Sequence, residues 1–116
     1  MYTFYTLFVS TSIGEFEQVV LLAILQLGDD AYAIGVRRLL ERRVERSVTR
    51  GALYRTLDRL HEKGFVDWES QDPTPERGGH VKRRFKVSAN GVEALSRSRS
   101  HLFKMWDGLE SVLGEP

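Results

Sequence analysis

Ser47–Gly64 reads SVTRGALYRTLDRLHEKG, and the rest of the chain is best understood outward from it. Leu53, Leu57 and Leu60 fall at i, i+4 and i+7, which is one apolar stripe along a helix. Arg50, Arg55 and Arg59 fall off that stripe. Thr49 stands where an N-cap hydroxyl accepts from the first turn, and Gly64 is a stop signal. The stretch is therefore a short amphipathic helix with an apolar back and a basic outer face.

Downstream, Phe65–Glu69 (FVDWE) alternates, with Val66 and Trp68 opposed to Asp67 and Glu69. Arg83–Val87 alternates as well, with Phe85 and Val87 opposed to Arg84 and Lys86. Two half-buried strands joined by Ser70–Lys82 make a hairpin, whose polar connection carries Pro73, Pro75, Gly78 and Gly79. Upstream, Glu15–Leu27 is a helix with so little polar face that burial nearly all round is expected. Gly28-Asp29-Asp30 is expected to end it and to cap a second helix from Ala31 to Arg43. Val36, Leu39 and Leu40 face inward there, and Arg37, Arg38, Arg42 and Arg43 outward. Gly35 is costly inside a helix and marks a close approach of another helix.

Ser88 caps a last helix, along which Val92, Leu95, Arg99, Leu102, Trp106, Leu109 and Leu113 step by threes and fours. That is an a/d seam with one polar interruption. The order of elements predicts a mainly α chain with a small β-hairpin: a winged helix-turn-helix followed by a C-terminal dimerisation helix. Residues 1–13 form an N-terminal extension of strand-like composition, 14–87 the winged unit and 88–116 the dimerisation helix.

A chain of 116 residues fits one domain, and 41% hydrophobic with 28% charged residues is an ordinary globular balance. The net charge is only +1, so the distribution says more than the total. Arg37, Arg38, Arg42, Arg43, Arg46, Arg50, Arg55, Arg59 and Lys63 crowd one stretch against four acidic residues. Arg77–Lys86 holds five basic residues and no acidic one. A locally basic face on a near-neutral chain is an electrostatic footprint for nucleic acid. There is no cysteine, which excludes disulfides and thiolate chemistry. No apolar run approaches the roughly 20 residues of a membrane span, and the start lacks the basic region of a signal peptide, so a cytoplasmic protein is expected.

A duplex major groove about 12 Å wide admits one helix, and arginine can make two hydrogen bonds to guanine. Thr49, Arg50, Gly51, Tyr54, Arg55 and Arg59 are the candidate DNA-binding residues of the helix. Gly51 lets the backbone come close, and a helix N-terminus favours phosphate. Arg77, Gly78, Gly79, His80 and Lys82 are the candidates of the loop, where positive side chains can follow a phosphate backbone. Arg83 and Lys86 can equally protect a strand edge. Leu95, Leu102, Phe103, Trp106, Leu109 and Leu113 are the candidate dimer interface. Trp106 and Phe103 are also candidate effector-binding residues, although aromatic side chains are common in dimer cores.

Four segments then carry a family resemblance: GEFEQVVLLAIL, DDAYAIGVRRLLE, GALYRTLDRLHEKGFV and PTPERGGHVKRRFKVSANGVEAL. In order and spacing they resemble the PadR-like bacterial transcription regulators over about Gly14–Leu95. The resemblance implies a homodimer that binds pseudo-palindromic double-stranded operators, usually as a repressor. It further implies release of DNA by a small aromatic or amphipathic effector. Two departures stand out. Arg55 occupies a position where the family often has proline, and the C-terminal helix is short and single, as in compact members.

His61, His80 and His101 show no metal spacing, and neither HExxH nor GxGxxG occurs. No cofactor and no catalysis are expected. Two rivals remain at this level: a winged helix used as a protein-interaction adaptor, and a multidrug-sensing module with an aromatic pocket at the dimer interface.

Overall fold

The computed structural model describes residues 13–71 and 82–116. Helix α1 spans Glu15–Leu27, and Glu17 Oε1 accepts the Gly14 N–H at 2.9 Å to satisfy one of its first amides. Gly28 ends it at φ 57, and Gly28–Asp30 forms one 3-10 turn. Helix α2 covers Ala33–Val44 and starts after Tyr32, with no side-chain cap. The two aspartates therefore sit in the turn and cap nothing, contrary to the expectation from their residue type. Helix α3 spans Arg50–Glu62, and Thr49 Oγ1 accepts the Ala52 N–H at 3.1 Å as its N-cap.

Strands β1 (Val66–Gln71) and β2 (Lys82–Val87) pair antiparallel, with Val66 opposite Val87 and Trp68 opposite Phe85. A further contact was not legible in the sequence. Tyr32 bridges Arg84, and the Phe85 N–H donates to the Ala31 carbonyl at 2.8 Å. The turn between α1 and α2 thus supplies a one-residue third strand, tying the hairpin to the helices. Gly35 stands beside that turn, where an added Cβ would lie 3.3 Å from the Asp30 carbonyl. The same position lies 3.5 Å from Leu27 Cδ1, so the close approach is to the end of α1 as well as to the turn that follows it.

The core gathers the inner faces of all these elements: Val20, Leu21 and Ile24 of α1, Val36 and Leu40 of α2, Leu53, Leu57 and Leu60 of α3, and Phe65, Val66, Phe85 and Val87 around the hairpin. Each large apolar side chain so buried contributes about 1.5–3 kcal/mol. Burial of α1 is one-sided: Leu22 and Leu25 are each 48% exposed, so the expectation of all-round burial fails.

Helix α4 runs Ala89–Trp106, with Ser88 Oγ accepting the Gly91 N–H at 3.1 Å. Its first turn rests directly on the body. An added Cβ at Gly91 would collide with the Phe65 carbonyl and stand 2.7 Å from Val87 Cγ1. Leu95 is 8% exposed and joins the core of its own chain, which removes it from the exposed seam. The continuous seam is corrected in a second way. Gly108, at φ 85, breaks the helix, and Leu109 and Leu113 belong to a separate turn of helix, α5 (Glu110–Leu113).

Candidate nucleic-acid interface

Because Leu53, Leu57 and Leu60 are at most 1% exposed, the back of α3 is fixed and its opposite face is presented outward. Thr49, Arg50, Gly51 and Arg55 are all exposed at its first turns, with Tyr54 half-buried beside them. Arg50 carries its guanidinium 5.5 Å from the Tyr54 ring centroid, and Tyr54 meets Phe85 edge-on at 6.3 Å. The Tyr54 ring is thereby held between the core and the surface. Gly51 is informative by what it lacks. An added Cβ would meet only Arg55 Nη1, at 3.6 Å, so nothing in the described fold requires glycine there. A glycine that costs helix stability without an internal reason fits the close approach of an outside molecule.

The turn before α3 is held by a residue that charge counting had placed on the outer face. Arg37 Nε donates to the Val48 carbonyl at 2.9 Å, fixing the chain just ahead of the Thr49 cap. Arg46, although exposed, is also engaged, pairing with Glu15 at 2.9 Å and lying 4.7 Å over the Phe16 ring. Arg59, expected among the groove residues, is exposed and engaged within its own chain. Its Nη2 donates to Thr56 Oγ1 at 3.2 Å and its Nε lies 3.7 Å from Glu17 Oε2. Arg38, Arg42, Arg43, Arg46, Arg50, Arg55 and Arg59 are the exposed arginines of the basic stretch, and of these Arg46 and Arg59 are already paired with Glu15 and Glu17. The nine-residue count therefore overstated the usable charge.

On β2, the basic residues divide by strand parity. Lys82 sets its ammonium 3.9 Å from the Tyr32 ring centroid, and Arg84 bonds Glu69 at 2.6 Å. Arg83, on the core side, covers the Trp68 ring at 4.9 Å, and His61 packs on the same indole at 4.2 Å. Hydrogen bonding and charge from Arg84 hold the exposed Glu69 carboxyl below its ordinary range, and Glu69 in turn raises Arg84. Arg84 is thus spent on its neighbour, while Lys82 is aromatic-backed at the mouth of the loop. Arg77, Gly78, Gly79 and His80 lie outside the described residues.

No protein-family model matches the sequence, and no curated protein matches it. Solved structures do. A PadR-like transcription factor from Bacteroides fragilis superposes at TM-score 0.67 with 20% identity, covering 84% of this chain and 88% of its own. A PadR family transcription regulator from Clostridium difficile gives TM-score 0.67 at 16% identity, covering 85% and 99%. The fold is the PadR winged helix. The complex structure of hsRosR-S4 shares it at TM-score 0.63 and 21% identity, over 85% of this chain and 78% of that one.

Within the PadR winged helix, α3 occupies the position of the second helix of the helix-turn-helix, and β1–β2 form the wing. Three residues that sequence reasoning passed over support this arrangement: Tyr32, Glu17 and Gly91. Tyr32 backs Lys82 from 50 positions away. Glu17 is 7% exposed and bonds Lys63 Nζ at 2.9 Å through both oxygens. Only Gly91 carried a signal, as a glycine in the first turn of an otherwise well-formed helix.

The C-terminal residues stand apart. Leu102, Phe103, Trp106, Leu109 and Leu113 are 43–71% exposed. Phe103 borders an open hollow of about 590 Å³ with Ser96, Arg99, Ser100, Lys104 and Asp107; Trp106 is not among its lining residues. The two aromatics therefore do not share one hollow within the single chain. Among the described residues there is no group of His, Asp or Glu suited to a metal, and no helix is long and apolar enough to cross a membrane.

Proposed function

We infer that this chain is a DNA-binding transcriptional regulator of the PadR-like type, acting in the cytoplasm as a homodimer. One observation carries the reading. Thr49, Arg50, Gly51, Tyr54 and Arg55 converge on one exposed helix end whose back is wholly buried, with a glycine that the fold itself does not need. The resemblance to PadR-like regulators and the likeness to their fold support the same reading.

In this mechanism α3 enters a major groove with its N-terminal turns against the base edges. Arg50 and Arg55 read guanine, and the open backbone at Gly51 admits close contact. Lys82, with Arg77, Gly78, Gly79 and His80 of the wing, grips flanking phosphates. Leu102, Phe103, Trp106, Leu109 and Leu113 meet their equivalents in a second copy. Pairing sets two α3 helices about 34–36 Å apart on a pseudo-palindromic operator. The regulator acts as a repressor, and a small aromatic or amphipathic effector at Phe103 and Trp106 changes that spacing and releases DNA. The proposed activity contains no catalytic step.

Salt titration of duplex binding tests the reading. With about 6–10 phosphate contacts per dimer, affinity falls by about 10³–10⁵ between 50 and 200 mM salt. Selection from a random duplex pool then returns two half-sites about one helical turn apart. No duplex binding at low salt overturns the regulator reading in favour of a protein-interaction adaptor.

A further inference from the structure

We propose that Glu17 is a positioning residue for the recognition helix, locking the far end of α3 to the start of α1. This rests on the reading of α3 as the DNA-reading element. Glu17 is a nearly buried acid, with Thr56 the other buried polar side chain among the described residues, and its carboxylate is engaged on three sides. Oε1 accepts the Gly14 N–H at 2.9 Å, both oxygens lie 2.9 Å from Lys63 Nζ, and Oε2 lies 3.7 Å from Arg59 Nε. Lys63 caps the C-terminal end of α3, and Arg59 stands one turn earlier.

The contacts continue along α3 from there. Arg59 Nη2 donates to Thr56 Oγ1, and the same hydroxyl donates to the Ala52 carbonyl at 3.1 Å. Ala52 is the residue whose N–H Thr49 caps. On the other side, Gln18 follows Glu17 directly. Its Nε2 donates to the Ile13 carbonyl at 3.4 Å, and its Oε1 accepts from Ser98 Oγ of α4 at 2.9 Å. One polar path thus joins α4, the start of α1 and the whole length of α3.

A buried ion pair is seldom the most stabilising choice, because desolvation offsets most of the attraction. What it adds is direction. Leu53, Leu57 and Leu60 hold α3 by contacts that tolerate rotation about the helix axis, since burial is non-directional. A carboxylate held at once by the Gly14 N–H, the Lys63 ammonium and the Arg59 guanidinium resists it. With side chains about 5–6 Å from the axis, a rotation of about 10° displaces the outer face by about 1 Å. That is enough to misplace a bidentate arginine. Lys63 lies about 18 Å along the axis from Gly51, so Glu17 acts on the reading end only through the helix.

The test uses the full-length chain with Glu17→Gln, which keeps an acceptor for Gly14 and removes the charge. Affinities are measured over a salt series for the tightest duplex recovered from a random pool and for a scrambled duplex of equal length. The expected result is a loss of about tenfold or more in preference for the selected duplex, with the salt slope unchanged. Lys63→Met gives a similar loss, and the double variant is no worse than Glu17→Gln alone. Undiminished preference in a folded Glu17→Gln protein overturns the proposal. So do additive losses, or tighter binding to both duplexes with a steeper slope, which would make Glu17 a mere counter-charge. If Glu17→Gln does not fold, Glu17→Asp decides, since it keeps the charge and withdraws it by one methylene. Reduced preference there sustains the positioning role, and full preference overturns it. A wild-type chain that binds neither duplex at low salt overturns the regulator reading itself, a result distinct from every variant-specific outcome.

Discussion

Helices α3 and α4 carry the same kind of apolar stripe and meet opposite fates. In α3, Leu53, Leu57 and Leu60 are at most 1% exposed. In the C-terminal segment, Val92, Leu102, Trp106, Leu109 and Leu113 are 43–61% exposed, and of the stripe's apolar residues only Leu95 is buried. Spacing alone says that a stripe must be covered; it does not say by whom. The stripe of α3 is covered within its own chain. The C-terminal segment leaves its stripe uncovered, and the proposed function assigns that stripe to a second copy.

The sharpest test of the contrast is stability. Leu57→Ala should cost about 2–5 kcal/mol in denaturant unfolding, because a cavity opens in a closed core. Gly91→Ala should cost about 1–3 kcal/mol or more, since a methyl group there meets the Phe65 carbonyl. Next comes association. Leu102→Glu with Trp106→Glu should shift sedimentation from dimer towards monomer while leaving the helical circular dichroism of the body intact. If the doubly charged variant unfolds instead, the C-terminal segment belongs to the core after all. Third, Gly51→Ala should raise stability by about 0.5–1 kcal/mol through helix propensity, yet weaken duplex binding. A variant that gains stability and keeps full affinity would show that nothing approaches that backbone.

The smallest effect belongs to the wing. Arg84 holds the Glu69 carboxyl below its ordinary value of 4.5. The pair therefore supports the folded state above that value and ceases to do so as pH falls through the lowered one. Glu69→Gln should lower thermal stability only slightly near neutral pH, as expected for an exposed pair. That small difference should shrink as pH falls below about 4.5, where the wild-type pair is itself lost. A large change at neutral pH would mean that the wing is more integral to the core than its exposure indicates.

Much of this was readable from residue order. Period-3.6 spacing located α3, alternation located both strands, and Thr49 and Ser88 announced their helices through cap chemistry. The clustering of Thr49, Arg50, Gly51, Tyr54 and Arg55 followed once the buried stripe was known. Contacts between distant residues left no local trace. Nothing near Glu17 signals a lysine 46 positions away, and nothing near Tyr32 signals its bridge to Arg84. Arg37 looks like its exposed neighbours in sequence, and only its tertiary partner Val48 separates it from them. The break in the C-terminal seam is a different failure. Asp107-Gly108 is an ordinary turn dipeptide, and its signal was outweighed by the regular apolar spacing on either side.

The junction at Ser88–Gly91 has a mechanical consequence. Ser88 Oγ donates to the Gly64 carbonyl at 2.6 Å, its N–H donates to the Phe65 carbonyl at 3.0 Å, and Gly91 rests on the same carbonyl. Helix α4 is clamped at this point and extends about 22 Å from Gly91 to Trp106. It is a lever arm with a stiff fulcrum. A displacement of about 2 Å at its tip corresponds to a tilt of about 5° at the body. Whatever grips the tip therefore steers the winged unit as a rigid piece, and the fulcrum that allows this depends on the absence of a single methyl group.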